Sequence, residues 1–229
     1  MSQKFTILFD LDGTLVNTAP DLMHAHNHVM KKYGYGERNL EDIKKLAGRG
    51  SKVMLAKSMH EMAELSGKIK KTASVVEEMT KEFIDYYSKN IAKESTLKTG
   101  VLVFLSWCKN NSISMAVCTN KQEHLSIDLL KKIKIYHFFD YVAGGDTFDN
   151  NKPDPKHLTN TIEIIGGNLK KTIMIGDSET DSGAAQGANI PFILIEGGYT
   201  EKKVNQIYHN HLVKNFVRLE KIIEKYLND

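Results

Sequence analysis

Two aspartates two positions apart, Asp10 and Asp12, close the apolar run at residues 5–9 and are followed by Gly13 and Thr14. On an extended segment, side chains two apart share one side, so two carboxylates emerge together where the run ends. Such a pair can divide labour, one ionised as nucleophile or metal ligand and the other shuttling a proton. Gly13 and Thr14 let the backbone turn, and their amides can hydrogen-bond an anion. A plain Asp-Gly turn would use the same residues. Further along, Thr119, Asn120 and Lys121 follow the run 113–118 with a hydroxyl, an amide and an amine. That set suits phosphate oxygens and can equally cap a helix. Lys152 stands in Asn151-Lys152-Pro153-Asp154-Pro155, the only one of 28 lysines so framed. Pro153 disfavours helix at Lys152 and Pro155 suits the first turn of the next helix. A compact ammonium aimed this way fits phosphate neutralisation, the alternative being a surface lysine beside a helix start. Asp177 and Asp181 follow the run 172–175 and offer the hard oxygens that Mg²⁺ accepts. Asp177 is the better placed direct ligand, whereas Asp181 serves as readily as a favourable charge at a helix N-terminus.

These groups need a scaffold that brings them together. Five short β-branched or aromatic runs, at 5–9, 113–118, 141–143, 172–175 and 191–195, each stop at polar or glycine-rich residues. Helix-period segments at 102–108, 123–133, 155–165 and 183–187 lie between them. Strands alternating with helices predict a doubly wound α/β fold with a parallel sheet. Ligands in such sheets sit beyond the carboxyl ends of the strands, where the polar clusters fall. Residues 20–93 contain no strand candidate and instead show helical patterns near 21–33, 40–47, 51–65 and 73–89. Ser51 is the expected N-cap of the third. The simplest account is an all-helical insert after the first strand.

At about 150 residues per domain, 229 residues make one core plus a smaller unit. The expected division is a core of residues 1–17 and 94–229 with a helical cap at 18–93. Hydrophobic residues are 41% of the chain, enough for a core, so a mainly disordered state is excluded. The apolar runs fall far below the ~18 residues of a membrane span, and no secretory leader is evident. The net charge is +3, and only Arg38, Arg49 and Arg218 supply guanidinium groups. Lysine pairs such as 31–32, 70–71 and 131–132, interleaved with acids, read as a solvated face rather than a nucleic-acid footprint. Cys108 and Cys118 have no metal-site spacing, which fits a reduced, cytoplasmic protein. The expectation is no nucleic-acid and no membrane partner, for a monomer or homodimer.

In order and placement, Asp10-Leu11-Asp12-Gly13-Thr14, Thr119-Asn120, Lys152-Pro153 and Gly176-Asp177 through Asp181 resemble the four motifs of the haloacid dehalogenase superfamily. The resemblance spans the whole chain. It implies phosphoryl transfer through an aspartyl-phosphate, with Asp10 as nucleophile and Asp12 as general acid and base. Thr119, Asn120 and Lys152 would hold the transferring oxygens, with Gly13 beside them. Mg²⁺ would bind the Asp10 carboxylate, the Asp12 carbonyl and the Asp177 carboxylate, supported by Asp181. Splitting the displacement in two requires such a nucleophile, proton shuttle and fixed positive charge.

Within the superfamily, residues 9–22, 144–155 and 197–199 are most similar to phosphoglycolate phosphatases, although Asn17-Thr18 replaces the Asp-Ser often found there. The implied reaction is hydrolysis of a small phosphomonoester such as 2-phosphoglycolate, so the resemblance implies a small phosphorylated metabolite as partner. Competing expectations are a phosphosugar mutase, a sugar or nucleoside monophosphate phosphatase, and a catalytically silent binding module. The helical interval resembles the family's cap, with hinges near 16–20 and 93–100. Arg49, between two glycines, is the candidate for reading a substrate carboxylate from the cap, or else belongs to an ordinary interhelix loop. His24, His26 and His28 include an i, i+4 pair but have no third metal ligand. Methionines at helical spacing, among them Met30, Met54 and Met79, read as cap core.

Overall fold

The computed structural model describes residues 4–66 and 73–228; the Lys70–Lys71 pair lies outside them. The chain runs β1 (Thr6–Phe9), β2 (Val16–Asn17), α1 (Ala19–Lys32), α2 (Leu40–Ala47), α3 (Ser51–Ser66), α4 (Ala73–Asn90) and β3 (Thr96–Leu97). It continues through α5 (Val101–Asn110), β4 (Ser114–Cys118), α6 (Glu123–Lys132), β5 (Tyr141–Ala143), α7 (Lys156–Ile164), β6 (Thr172–Gly176), α8 (Glu179–Gly187), β7 (Phe192–Ile195), β8 (His211–Val213) and α9 (Glu220–Asn228).

Six strands form one parallel sheet in the order β5-β4-β1-β6-β7-β8. Alternate strand residues enter two apolar clusters. Ile7, Phe9, Val117 and Ile175 face α5, α6 and α9, while Leu8, Ala116, Cys118 and Met174 face α7 and α8. Helices cover both faces, which is why β1 is an unbroken apolar run rather than an alternating one. Both cysteines are free and buried.

The register fixes the site. Phe9 of β1 pairs with Val117 of β4 on one side and with Ile175 of β6 on the other. The next residues along these three strands lead to Asp10, Thr119 and Asp177, so their carboxyl ends meet at one edge.

The insert is all helical, as expected. α1 begins beside Pro20, and α2 begins where the Asn39 side chain accepts the Asp42 amide at 2.9 Å. At the start of α3 the Gly50 carbonyl receives the Met54 amide, so Gly50 takes the cap position expected for Ser51, and Ser51 opens the helix. Gly50 has φ +86°, a conformation open to glycine at little cost. Met30, Met54, Met59 and Met79 are buried in the insert's core. The three histidines diverge: His24 meets Glu94, His26 bonds Ser58 and Asn27, and His28 stacks on Tyr86.

The insert leaves and rejoins the core through a two-stranded antiparallel ribbon, Val16 opposite Leu97 and Asn17 opposite Thr96. Buried Asp21, in the first turn of α1, ties this ribbon down. Its carboxylate accepts the amides of Glu94 at 2.9 Å and Ser95 at 3.0 Å, and the Ser95 hydroxyl at 2.5 Å. Two further features go beyond the sequence expectation. The sheet has a sixth strand, β8, and α8 starts at Glu179 rather than Gly183.

Candidate active site

Asp10 is the first residue past β1, and its amide still bonds the carbonyl of Ile175 at 2.9 Å. Lys152, on the loop after β5, donates to Asp10 Oδ1 at 2.8 Å and to Asp181 Oδ1 at 2.5 Å, with its side chain 1% exposed. Burial opposes its charge, but the two carboxylates together hold it above the ordinary lysine range. Burial also pushes Asp10 up to about 6, against the pull of Lys152.

Asp177 lies beside them. Its Oδ1 accepts the Thr14 hydroxyl at 2.6 Å and its Oδ2 accepts the Tyr199 amide at 2.5 Å. Burial drives its carboxyl well above the usual range, and Asp10 and Asp181 push the same way. Space around this carboxylate is tight. A Cβ on Gly13, which has φ +86°, would collide with Asp177 Oδ2, and one on Gly198 would collide with its Cβ. Asp181 is an anchor: its Oδ2 accepts the Asp177 amide, the Ser178 amide and the Ser178 hydroxyl, while its Oδ1 holds Lys152. Asp181 thus stands in the first turn of α8 and beside Asp10 and Asp177.

Oxygens of Asp10, Asp177 and Asp181 all lie within 4.8 Å of one another. Three buried carboxyl groups face one ammonium, and their mutual repulsion adds to burial in raising Asp10 and Asp177. An all-oxygen donor set of this kind suits a hard divalent cation. Asp181 spends one oxygen on Lys152 and the other on the backbone and hydroxyl of its own turn, whereas the Asp177 oxygens each accept one neutral donor and, among the described residues, Asp10 accepts Lys152 on one oxygen only.

Thr119 is 2% exposed, and its hydroxyl accepts the Lys121 amide at 3.2 Å. The Asn120 side-chain amide donates to the carbonyl of Lys152 at 3.0 Å, fastening the loop that carries the lysine. Asn120 Oδ1 is buried with no partner. Asp10, Asp12, Thr119, Asn120 and Lys121 line a cavity of about 60 Å³ that the insert roofs with Leu22, Met54, Phe83 and Tyr87.

The family described as haloacid dehalogenase-like hydrolase matches residues 7–195. The chain belongs to that family. Among curated relatives of this hydrolase, a phosphoglycolate phosphatase of Mesorhizobium japonicum is 33% identical over 92% of this chain and 90% of that protein. A phosphoglycolate phosphatase of Caulobacter vibrioides is 34% identical, over 94% and 89%. Among solved structures, the "predicted phosphoglycolate phosphatase" of Haemophilus somnus superposes with a TM-score of 0.90 at 27% identity, covering 97% of this chain and 99% of that one. The hydrolase's doubly wound core and helical cap are thus those of its relatives. Among its described residues no helix is long and apolar enough to cross a membrane.

Asp10, Asp12, Gly13, Thr119, Asn120, Lys152, Asp177 and Asp181 of the hydrolase converge, but Arg49 does not join them. Its side chain is 61% exposed and reaches Glu179 at 3.4 Å, outside the cavity. Two participants escaped the sequence reading of single residues, and a third, Lys121, was read only within the set suited to phosphate oxygens. Lys121, noted only for its amine, is buried against Asp12 at 3.1 and 3.3 Å. Tyr87 of α4 carries no sequence signal of its own within the helical pattern near 73–89, yet its hydroxyl accepts from Lys121 at 2.9 Å. Tyr199 uses its amide for Asp177, while its hydroxyl accepts the Ala19 amide and donates to Asn17. The run Gly197-Gly198-Tyr199 was the only signal for it.

Proposed function

We propose that the chain is a Mg²⁺-dependent phosphatase of a small phosphomonoester, with 2-phosphoglycolate as the substrate its relatives' names favour. The observation that carries the reading is the convergence of Asp10, Lys152 and Asp177 at one sheet edge, with Asp10 facing a cavity that helices of the insert partly cover.

In this reading Asp10 attacks phosphorus and the ester oxygen leaves, forming an aspartyl-phosphate. Lys152 holds Asp10 and neutralises the transferring oxygens, aided by the Thr119 hydroxyl, Asn120 and the Gly13 backbone. Asp12 gives a proton to the departing oxygen and later takes one from the water that cleaves the acyl phosphate. Asp10 and Asp177, with the Asp12 carbonyl, would hold Mg²⁺, which when bound supplies positive charge opposite the phosphoryl oxygens. Residues 18–93 act as the cap, excluding water from the site, with residues 1–17 and 94–229 as the catalytic core. The setting is the cytoplasm, where such metabolites are found.

A phosphate-release screen over small phosphorylated acids, sugars and nucleotides, with and without Mg²⁺, tests the reading. Metal-dependent release with a preference for 2-phosphoglycolate is expected. A specificity constant for it no better than for sugar phosphates overturns the substrate, and absence of turnover on every monoester overturns the reaction.

A further inference from the structure

The cavity lining contains two carboxylates, Asp10 and Asp12, and a single cation, Lys121. Lys152 already serves Asp10 and Asp181 from beneath the site, so Lys121 is the cation placed to meet the rest of a substrate. Resting on the reading of this chain as a phosphomonoester phosphatase, we propose that Lys121, together with Tyr87 of the cap, binds a carboxylate on the non-transferred part of the substrate.

The site already accepts such a group. Lys121 is 9% exposed, and its ammonium holds both oxygens of the Asp12 carboxylate at 3.1 and 3.3 Å. A leaving oxygen served by Asp12 competes with Lys121 for that carboxylate, and as the contact loosens the buried ammonium needs another anion. Such a group is costly to leave unpaired. The Tyr87 hydroxyl accepts from Lys121 at 2.9 Å, and its own hydrogen has no acceptor among the described residues. It is therefore free to donate to the same anion.

The remaining walls restrict the ligand. Leu22, Met54 and Phe83 make much of the wall apolar, with Ser51 and Gln122 the further polar side chains that the insert and the start of α6 bring to it. One ammonium and one phenol match a carboxylate rather than a second phosphate, which would bring more charge than they neutralise. Arg49, exposed and paired with Glu179, points away from the cavity and does not compete for this role. Because Tyr87 belongs to α4, recognition is complete only when the cap is closed, so the anion is read at the step that seals the site.

The test compares 2-phosphoglycolate with 2-hydroxyethyl phosphate, which replaces the carboxylate by a neutral group of similar size. With Mg²⁺, the ratio of their kcat/KM values is measured for wild type, Lys121→Met, Lys121→Arg and Tyr87→Phe. Using the ratio cancels any general loss from disturbing Asp12. Wild type is expected to favour the charged ester, and Lys121→Met to reduce the ratio about a hundredfold. Lys121→Arg should keep part of the preference. Tyr87→Phe should reduce it roughly tenfold, chiefly through KM, and it carries the test alone if Lys121→Met does not fold. A wild-type preference that survives both Lys121→Met and Tyr87→Phe overturns this inference and leaves the substrate reading standing. Absence of any wild-type preference overturns both.

Discussion

At the scale of single residues, the site is held in a costly state for the sake of chemistry. Asp10 has a native pKa of about 6, against an ordinary value of 3.8, because burial outweighs Lys152. The folded state therefore binds a proton more readily than the unfolded chain between those values. The stability this gives at low pH is lost as pH rises through about 6. Asp10→Asn removes the charge but keeps an oxygen for Lys152, which also retains Asp181. In the absence of metal the variant should be more stable than wild type at pH 7, by roughly 1–3 kcal/mol, as read by urea unfolding. Its turnover of an aryl phosphate should vanish. Wild-type turnover in that variant would remove Asp10 as nucleophile. Gly13 makes the complementary point. At φ +86°, beside the Asp177 carboxylate, it has no space for a methyl group. Gly13→Ala should cost about 2 kcal/mol or more in stability and raise the Mg²⁺ concentration needed for half-maximal rate.

At the scale of elements, the β2–β3 ribbon and Asp21 decide how the helical insert is mounted. Asp21→Ala deletes three hydrogen bonds to residues 94–95 and leaves two buried or half-buried amides without their acceptor. A loss of about 2–4 kcal/mol is expected. The amides of Glu94 and Ser95 should exchange with solvent faster than those of β1, as measured by hydrogen exchange. If those two amides stay protected in the variant, Asp21 is not what secures the hinge.

Which elements were legible follows from the same physics. Buried parallel strands such as β1 and β6 announce themselves as apolar runs. β8 does not, because His211–Val213 is a short edge strand with no fully buried side chain. The ribbon strands are two residues each, too short for any periodicity. The first turn of α8 is hidden in Ser178-Glu179-Thr180-Asp181, whose polar residues are buried by the site instead of by apolar packing. Asp10, Asp177 and Asp181 drew notice because they follow strand patterns, and Lys152 because two prolines follow it at close spacing. Tyr87 was not legible, and Lys121 was legible only as one of the groups suited to phosphate oxygens, since their meeting depends on how the insert folds back over the core.

At the scale of the whole molecule, acid sensitivity has an identifiable contributor. His157 in α7 is fully buried, and neither ring nitrogen has a hydrogen-bond partner within 3.5 Å among the described residues. Burial, reinforced by the charge of Lys152, pushes it down to about 4. Its imidazole stays neutral in the folded state while the unfolded chain protonates near 6.5, so stability is lost as pH falls from about 6.5 towards 4. The effect reaches roughly 3 kcal/mol and opposes the Asp10 contribution in the same interval. His157→Leu should flatten the decline between pH 7 and 5 in urea midpoints. An unchanged slope would mean that other groups govern acid unfolding.

The ribbon has a further consequence for the chain's history. Because Asn17 and Thr96 are hydrogen-bonded neighbours, the two ends of a 78-residue excursion between them (96 − 17 − 1 = 78) are already side by side. The sheet therefore meets the same short stub whatever is threaded through it. Loop-closure entropy grows only with the logarithm of length, so a longer or shorter passenger would alter the core's stability very little. Such a junction lets the segment over the catalytic edge be exchanged wholesale, with substrate preference changing while the hydrolytic machinery stays intact.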